Sequence, residues 1–157
     1  MDEALREQLV RLLTQSEAHI DFEQAVADLP ASHRGRKPTN LPHTPWRLVE
    51  HMRRAQLDIL EFSRNEAYVE PDWPDDYWPD DDGPPEADAW RQSIEGFLTD
   101  RAAMTALIAD THRELTAPIP WGDGQTLLRE ALVLADHNAY HIGQLITVRR
   151  LIGAWHT

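Results

Sequence analysis

TLLREALVLADHNAYHIGQLITVRRLIG, residues 126–153, reads as one long helix with a stop and a start of its own. Thr126 supplies the expected N-cap and Gly153 the residue that ends the helix. At about 100° per residue, with His137 set at zero, His141 falls near 40° and Leu134 and Ile152 near 60°. Leu127 and Leu145 follow at about 80° and Ala131 at about 120°. Both histidines therefore lie inside the apolar stripe, one turn apart.

Three further helices are expected upstream. Over residues 3–28, Leu5, Leu9, Leu12, Leu13, Ser16 and Ile20 recur on one face, and Leu29-Pro30 closes the run. Thr44-Pro45 pairs a capping side chain with a proline at the first helical position, opening a helix over residues 44–66. Trp90, Ile94, Phe97, Met104 and Ile108 mark a helix over residues 86–111, with Arg101 interrupting its stripe. Prolines and glycines make loops of 29–43 and 116–124. The segment 67–85 is a long loop whose aromatics, Trp73, Tyr77 and Trp78, favour its lying on the body. The fold class is all-α: a four-helix bundle with long inter-helix loops and helices of about 35–40 Å. The loop lengths admit a crossover connection as well as a simple up-down order.

The chain has 157 residues, the size of one domain spanning 1–157, with 27 acidic against 15 basic side chains and a net charge of −12. That field repels phosphate backbones and anionic bilayers, so neither nucleic acid nor membrane is an expected partner. Cysteine is absent, which removes disulfides, cysteine–metal sites and cysteine nucleophiles together. No leader pattern and no membrane span is visible, so a soluble cytoplasmic protein is expected.

On the second helix His51 shares its face with Leu48, Ala55 and Ile59. Three inward histidines from two helices would each cost about 1–3 kcal/mol if left without partners. A divalent metal ion is the simplest single partner for all three, and bundles build metal sites from inward side chains of facing helices. The run His137-Asn138-Ala139-Tyr140-His141 has asparagine where a zincin helix carries its general-base glutamate, so that class is rejected. Three neutral imidazoles leave a metal an open position, as catalytic sites do. With no cysteine of its own, the protein would borrow a low-molecular-weight thiol as nucleophile.

Other residues receive expectations to be checked. His19 either reaches the metal as a fourth ligand or proton carrier or is a partly exposed structural histidine. Gln144 either orients a ligand or packs as a helix amide. Asp58 either bonds a ligand imidazole or lies solvated on the stripe's flank. Glu50 and Asp136 point about 100° away from the ligands and are expected as surface charges. Trp46, Trp73, Trp78 and Trp121 line a substrate cleft or pack beneath loops. Gly143 is expected to let a neighbouring helix approach. His33, His43, His112 and His156 are assigned no role.

The runs PWRLVEHM (45–52) and DHNAYHIGQL (136–145), with WPDDYWP (73–79) and GDGQT (122–126), resemble the DinB-like superfamily over nearly the whole chain. The resemblance implies a four-helix bundle holding zinc, or alternatively nickel, on His51, His137 and His141. Its characterised members include bacillithiol S-transferases and a mycothiol-dependent maleylpyruvate isomerase, while many have no known activity. It therefore implies a small-molecule substrate and either thiol S-transfer or thiol-dependent isomerisation. A metal-dependent hydrolase and a non-catalytic, stress-related metal-binding protein are the alternatives. Relatives are often dimers, so a homodimer is expected.

Overall fold

The structure, a computed structural model, describes residues 2–155. His156 lies outside them. Among the described residues there are six α-helices and one 3-10 turn. They are α1 (Asp2–Thr14), α2 (Phe22–Val26), α3 (Ala31–Arg34), α4 (Pro45–Arg64), the 3-10 turn Asp75–Tyr77, α5 (Ala89–Ala109) and α6 (Leu127–Leu151). The four long ones, α1, α4, α5 and α6, pack together as a bundle. The helix expected over 44–66 begins at Pro45, with Thr44 accepting the Arg47 amide, and α6 begins the same way after Thr126. No described helix is long and apolar enough to cross a membrane.

The expectation of one helix over 3–28 is corrected. α1 stops at Thr14, because the chain restarts at a capping box: the Asp21 carboxylate accepts the Gln24 amide and the Gln24 side chain accepts the Asp21 amide. Ser16, counted in the apolar stripe, donates instead to Asp21 and Gln24. Leu9 and Leu13 are buried, while Leu12 faces solvent.

α4 packs against α5 and α6, and α1 also packs against α5 and α6 with no close backbone approach to α4. The first two long helices therefore stand at opposite corners, and the connection through α2 and α3 crosses the bundle. Arg6, only 4% exposed, locks α1 onto the end of α5. Its guanidinium donates to the carbonyls of Ile108 (2.6 Å), which the helix C-terminus leaves without an internal partner, and of Asp110 (2.9 Å) and Arg113 (2.5 Å) just beyond it.

The apolar interior forms two clusters. One surrounds Phe22, Leu48, Met52, Phe97 and Leu145; the other surrounds Leu9, Leu60, Met104, Ile108 and Leu134. Between them two buried amides meet: Asn138 donates to Gln56 Oε1 (3.2 Å), and Gln56 donates to the Phe97 carbonyl (2.5 Å). The histidines of α4 and α6 lie at the same level.

Candidate metal centre

His51 sits in the second turn of α4, and His137 and His141 sit one turn apart on α6. One ring nitrogen from each lies within 4.8 Å of the others. The α4–α6 pairing brings them together, and the 67–85 loop closes over them, as its aromatics suggested. Trp78 of that loop lies flat on His51, with ring centroids 3.7 Å apart. Tyr77 presents its backbone carbonyl 2.9 Å from His51 Nδ1. His141 Nδ1 is 2.8 Å from Gln144 Oε1.

Those contacts fix the tautomers. A carbonyl oxygen and an amide oxygen can only accept, so Nδ1 carries the proton in both rings and each Nε2 keeps a lone pair. Burial pushes the His51 pKa down to about 3, reinforced by the neighbouring imidazoles and opposed by the Tyr77 carbonyl. Burial likewise pushes His141 down to about 4, with His137 adding to it and Gln144 opposing it. His137 is lowered too, chiefly by burial. All three rings are neutral at pH 7, the form that ligates metal.

The donor set fits a cation. His51 Nε2 and His137 Nε2 are 3.1 Å apart. Two nitrogens bonded to one tetrahedral zinc at 2.0–2.1 Å are about 3.3 Å apart. Without an ion the pair is poorly satisfied in either state of His137. If its proton is on Nε2, Nδ1 is a buried acceptor lacking a partner. If its proton is on Nδ1, two lone pairs face each other. A cation between the Nε2 atoms removes the second conflict.

The structure separates the remaining candidates. His19 is corrected: because α1 ends at Thr14, His19 is exposed in a loop, where Nδ1 donates to the Ile20 carbonyl at 2.7 Å, and it does not join the cluster. Asp58 accepts the Tyr68 hydroxyl at 2.5 Å rather than an imidazole. Glu50, expected at the surface, is 6% exposed because α4 is covered on two sides, and Arg53 and Arg54 hold its carboxylate at 2.6 and 2.9 Å. Its pKa is nevertheless lowered, since those guanidinium bonds outweigh the burial that would raise it. Asp136 is exposed.

Of Trp46, Trp73, Trp78 and Trp121, only Trp78 meets the clustered histidines ring to ring. Trp46 is buried in the core, Trp73 is 70% exposed, and Trp121 donates to the Phe62 carbonyl at 2.7 Å, pinning the last loop to α4. Gly143 is corrected as well: a Cβ there would meet nothing within 4 Å, so no helix approaches it. Two neighbours of the cluster had been given no role. His43 stacks on the other face of Trp78 at 4.2 Å, and Tyr140 meets His141 edge-on at 4.9 Å. The one hint for His43 was its place between Pro42 and the N-cap Thr44, where the chain is held against the start of α4.

Comparison with curated proteins and with solved structures returned no match. A family model described as the DinB superfamily matches residues 12–145, which takes in most of the chain and all three clustered histidines. The chain belongs to the DinB superfamily.

Proposed function

We propose that His51, His137 and His141 hold one divalent cation, zinc in preference to nickel, and that the protein is a low-molecular-weight-thiol S-transferase or thiol-dependent isomerase. The observation that carries this reading is the convergence of three neutral imidazole nitrogens whose far sides are, for two of the rings, already tied to oxygen acceptors. A bound divalent cation would lower the pKa of a coordinated thiol and so supply thiolate at neutral pH.

The chain's own groups do the rest. Tyr77 and Gln144 keep the Nε2 lone pairs turned inward, and Trp78 covers one face of His51. In the transfer the thiol loses its proton to solvent, a carbon–sulfur bond forms at the electrophile, and the electrophile's leaving group departs with the displaced pair. The absence of cysteine from the sequence means the sulfur must come from a co-substrate. A hydrolase is less well supported. The position a zincin fills with its base is Asn138, a neutral amide that cannot take up a proton and that bonds Gln56.

The test is elemental analysis of protein purified without chelator, followed by thiol-consumption assays on zinc-loaded and nickel-loaded protein against a panel of electrophiles. About one metal per chain with thiol-dependent turnover supports the reading. Metal without turnover leaves the non-catalytic binding role, and absence of metal overturns both.

A further inference from the structure

Arg47, His51, Arg54 and Asp58 of α4 follow one another at steps of four, three and four residues. On a helix those steps keep them within about 60° of one another, so they form a single stripe. Only His51 belongs to the metal centre; the other three are charged. All four hold the 67–85 loop.

The loop lies along this stripe in the direction opposite to α4. Thr44, at the N-cap, donates to the Asp82 carbonyl at 2.6 Å, and Arg47 donates to the Asp80 carbonyl at 3.2 Å. His51 Nδ1 comes next, on the Tyr77 carbonyl at 2.9 Å. A single Arg54 nitrogen, Nη1, then donates to the carbonyls of both Asp76 (3.0 Å) and Trp78 (3.2 Å). Asp58 ends the row by accepting the Tyr68 hydroxyl. Apart from one 3-10 turn the loop has no regular structure of its own, so these donors decide where its carbonyls stand.

Arg54 differs from its neighbours in which carbonyls it takes. They flank the Tyr77 carbonyl, the group that fixes the tautomer and direction of His51. Its Nε donates at 2.9 Å to the buried Glu50 carboxylate, so the guanidinium is itself held from behind.

We infer that Arg54 is a positioning residue: it places the Tyr77 carbonyl and, through it, turns the His51 Nε2 lone pair toward the cation. The inference rests on the metal reading. Groups that hold a ligand from its far side are commonly worth ten- to a hundredfold in metal affinity, about tenfold being expected here. Charge alone acts in the opposite sense, because removing a positive side chain from beside a dication's site would tighten binding. The sign of the effect therefore separates positioning from field.

Arg53 provides the control. It also holds Glu50, at 2.6 and 2.8 Å, but makes no bond to the loop among the described residues. In competition with a chromophoric chelator, zinc affinity should fall about tenfold or more in Arg54→Gln. In Arg53→Gln it should stay within about twofold of wild type or tighten. Nitrogen NMR of the metal-free, histidine-labelled proteins should show a protected His51 Nδ1–H signal in wild type and Arg53→Gln. Arg54→Gln should lose that signal to solvent exchange and keep the one from His141. Unchanged zinc affinity in Arg54→Gln overturns the inference, as does an equal fall in both variants, which would assign the effect to the Glu50 ion pairs. A wild type that binds no zinc overturns the metal reading instead. The metal-free His51 signal still decides the role of Arg54 in that case, and its persistence in Arg54→Gln overturns the positioning.

Discussion

Trp78 lies on His51 with ring centroids 3.7 Å apart and the two planes within 4° of parallel. His43 covers the opposite indole face, so a metal-binding imidazole candidate is held in a three-ring stack whose middle member comes from a loop. Aromatic stacking contributes about 0.5–1.5 kcal/mol beyond the area it covers. Trp78→Leu is expected to lower stability by about 1–2 kcal/mol and to weaken zinc binding about tenfold, while Trp78→Phe stays near wild type. Competition with a chromophoric chelator measures this. Unchanged zinc affinity in Trp78→Leu would mean that the Tyr77 carbonyl alone orients His51.

Removal of a ligand should be visible in heat stability without any assay of turnover. A cation that binds only the native state adds about 2.7 kcal/mol at a hundred times its Kd. For a chain of this length that is a rise in Tm of roughly 5–10 °C. His51→Ala and His141→Ala should each lose that rise and the bound metal with it. A zinc-induced rise of wild-type size in either variant would place the cation elsewhere.

The metal-free protein should lose stability as the solution is acidified. His51 and His141 titrate near 3 and 4 in the folded chain, and an unfolded histidine titrates near 6.5. Between those values the unfolded state binds more protons, so stability rises with pH and is fully present only above about 6.5. The urea midpoint of metal-free protein should therefore fall from pH 7 toward pH 4. His51→Gln should flatten the descent relative to wild type; parallel curves for the two would refute the assignment.

The two buried amides between the apolar clusters should be energetically coupled. Gln56→Leu strands the Asn138 amide and is expected to cost about 1–3 kcal/mol. Replacing both with leucine removes donor and acceptor together and should recover part of that loss. Chemical denaturation of the two single variants and the double one gives the coupling directly; strict additivity would show the bond to be without consequence.

Helix starts marked by a capping threonine were legible in the sequence because the signal is local: Thr44 and Thr126 each accept the amide three residues on. The inward placement of His51, His137 and His141 was legible for a related reason, since helical angle alone sets it. The break after Thr14 was hidden by an apolar repeat that ran through Ser16 and Ile20, while the Asp21–Gln24 box that overrides it lay inside the pattern. Glu50 was misplaced because a helical wheel assumes one buried face, and α4 is covered by α5 on one side and α6 on another. His43 sits in a loop, where no period exists to read. The crossed order of helices depends on contacts between distant segments, which no local pattern encodes.

That crossed order has a consequence for how the molecule is made. Arg6 finds its carbonyl partners 102 to 107 residues downstream, so this lock cannot close until nearly three quarters of the polypeptide exists. Residues 45–151 carry every clustered imidazole and its supporting carbonyl or amide. The amino-terminal helix thus joins the bundle through contacts of long sequence separation, a topology that slows folding relative to a bundle of consecutive neighbours.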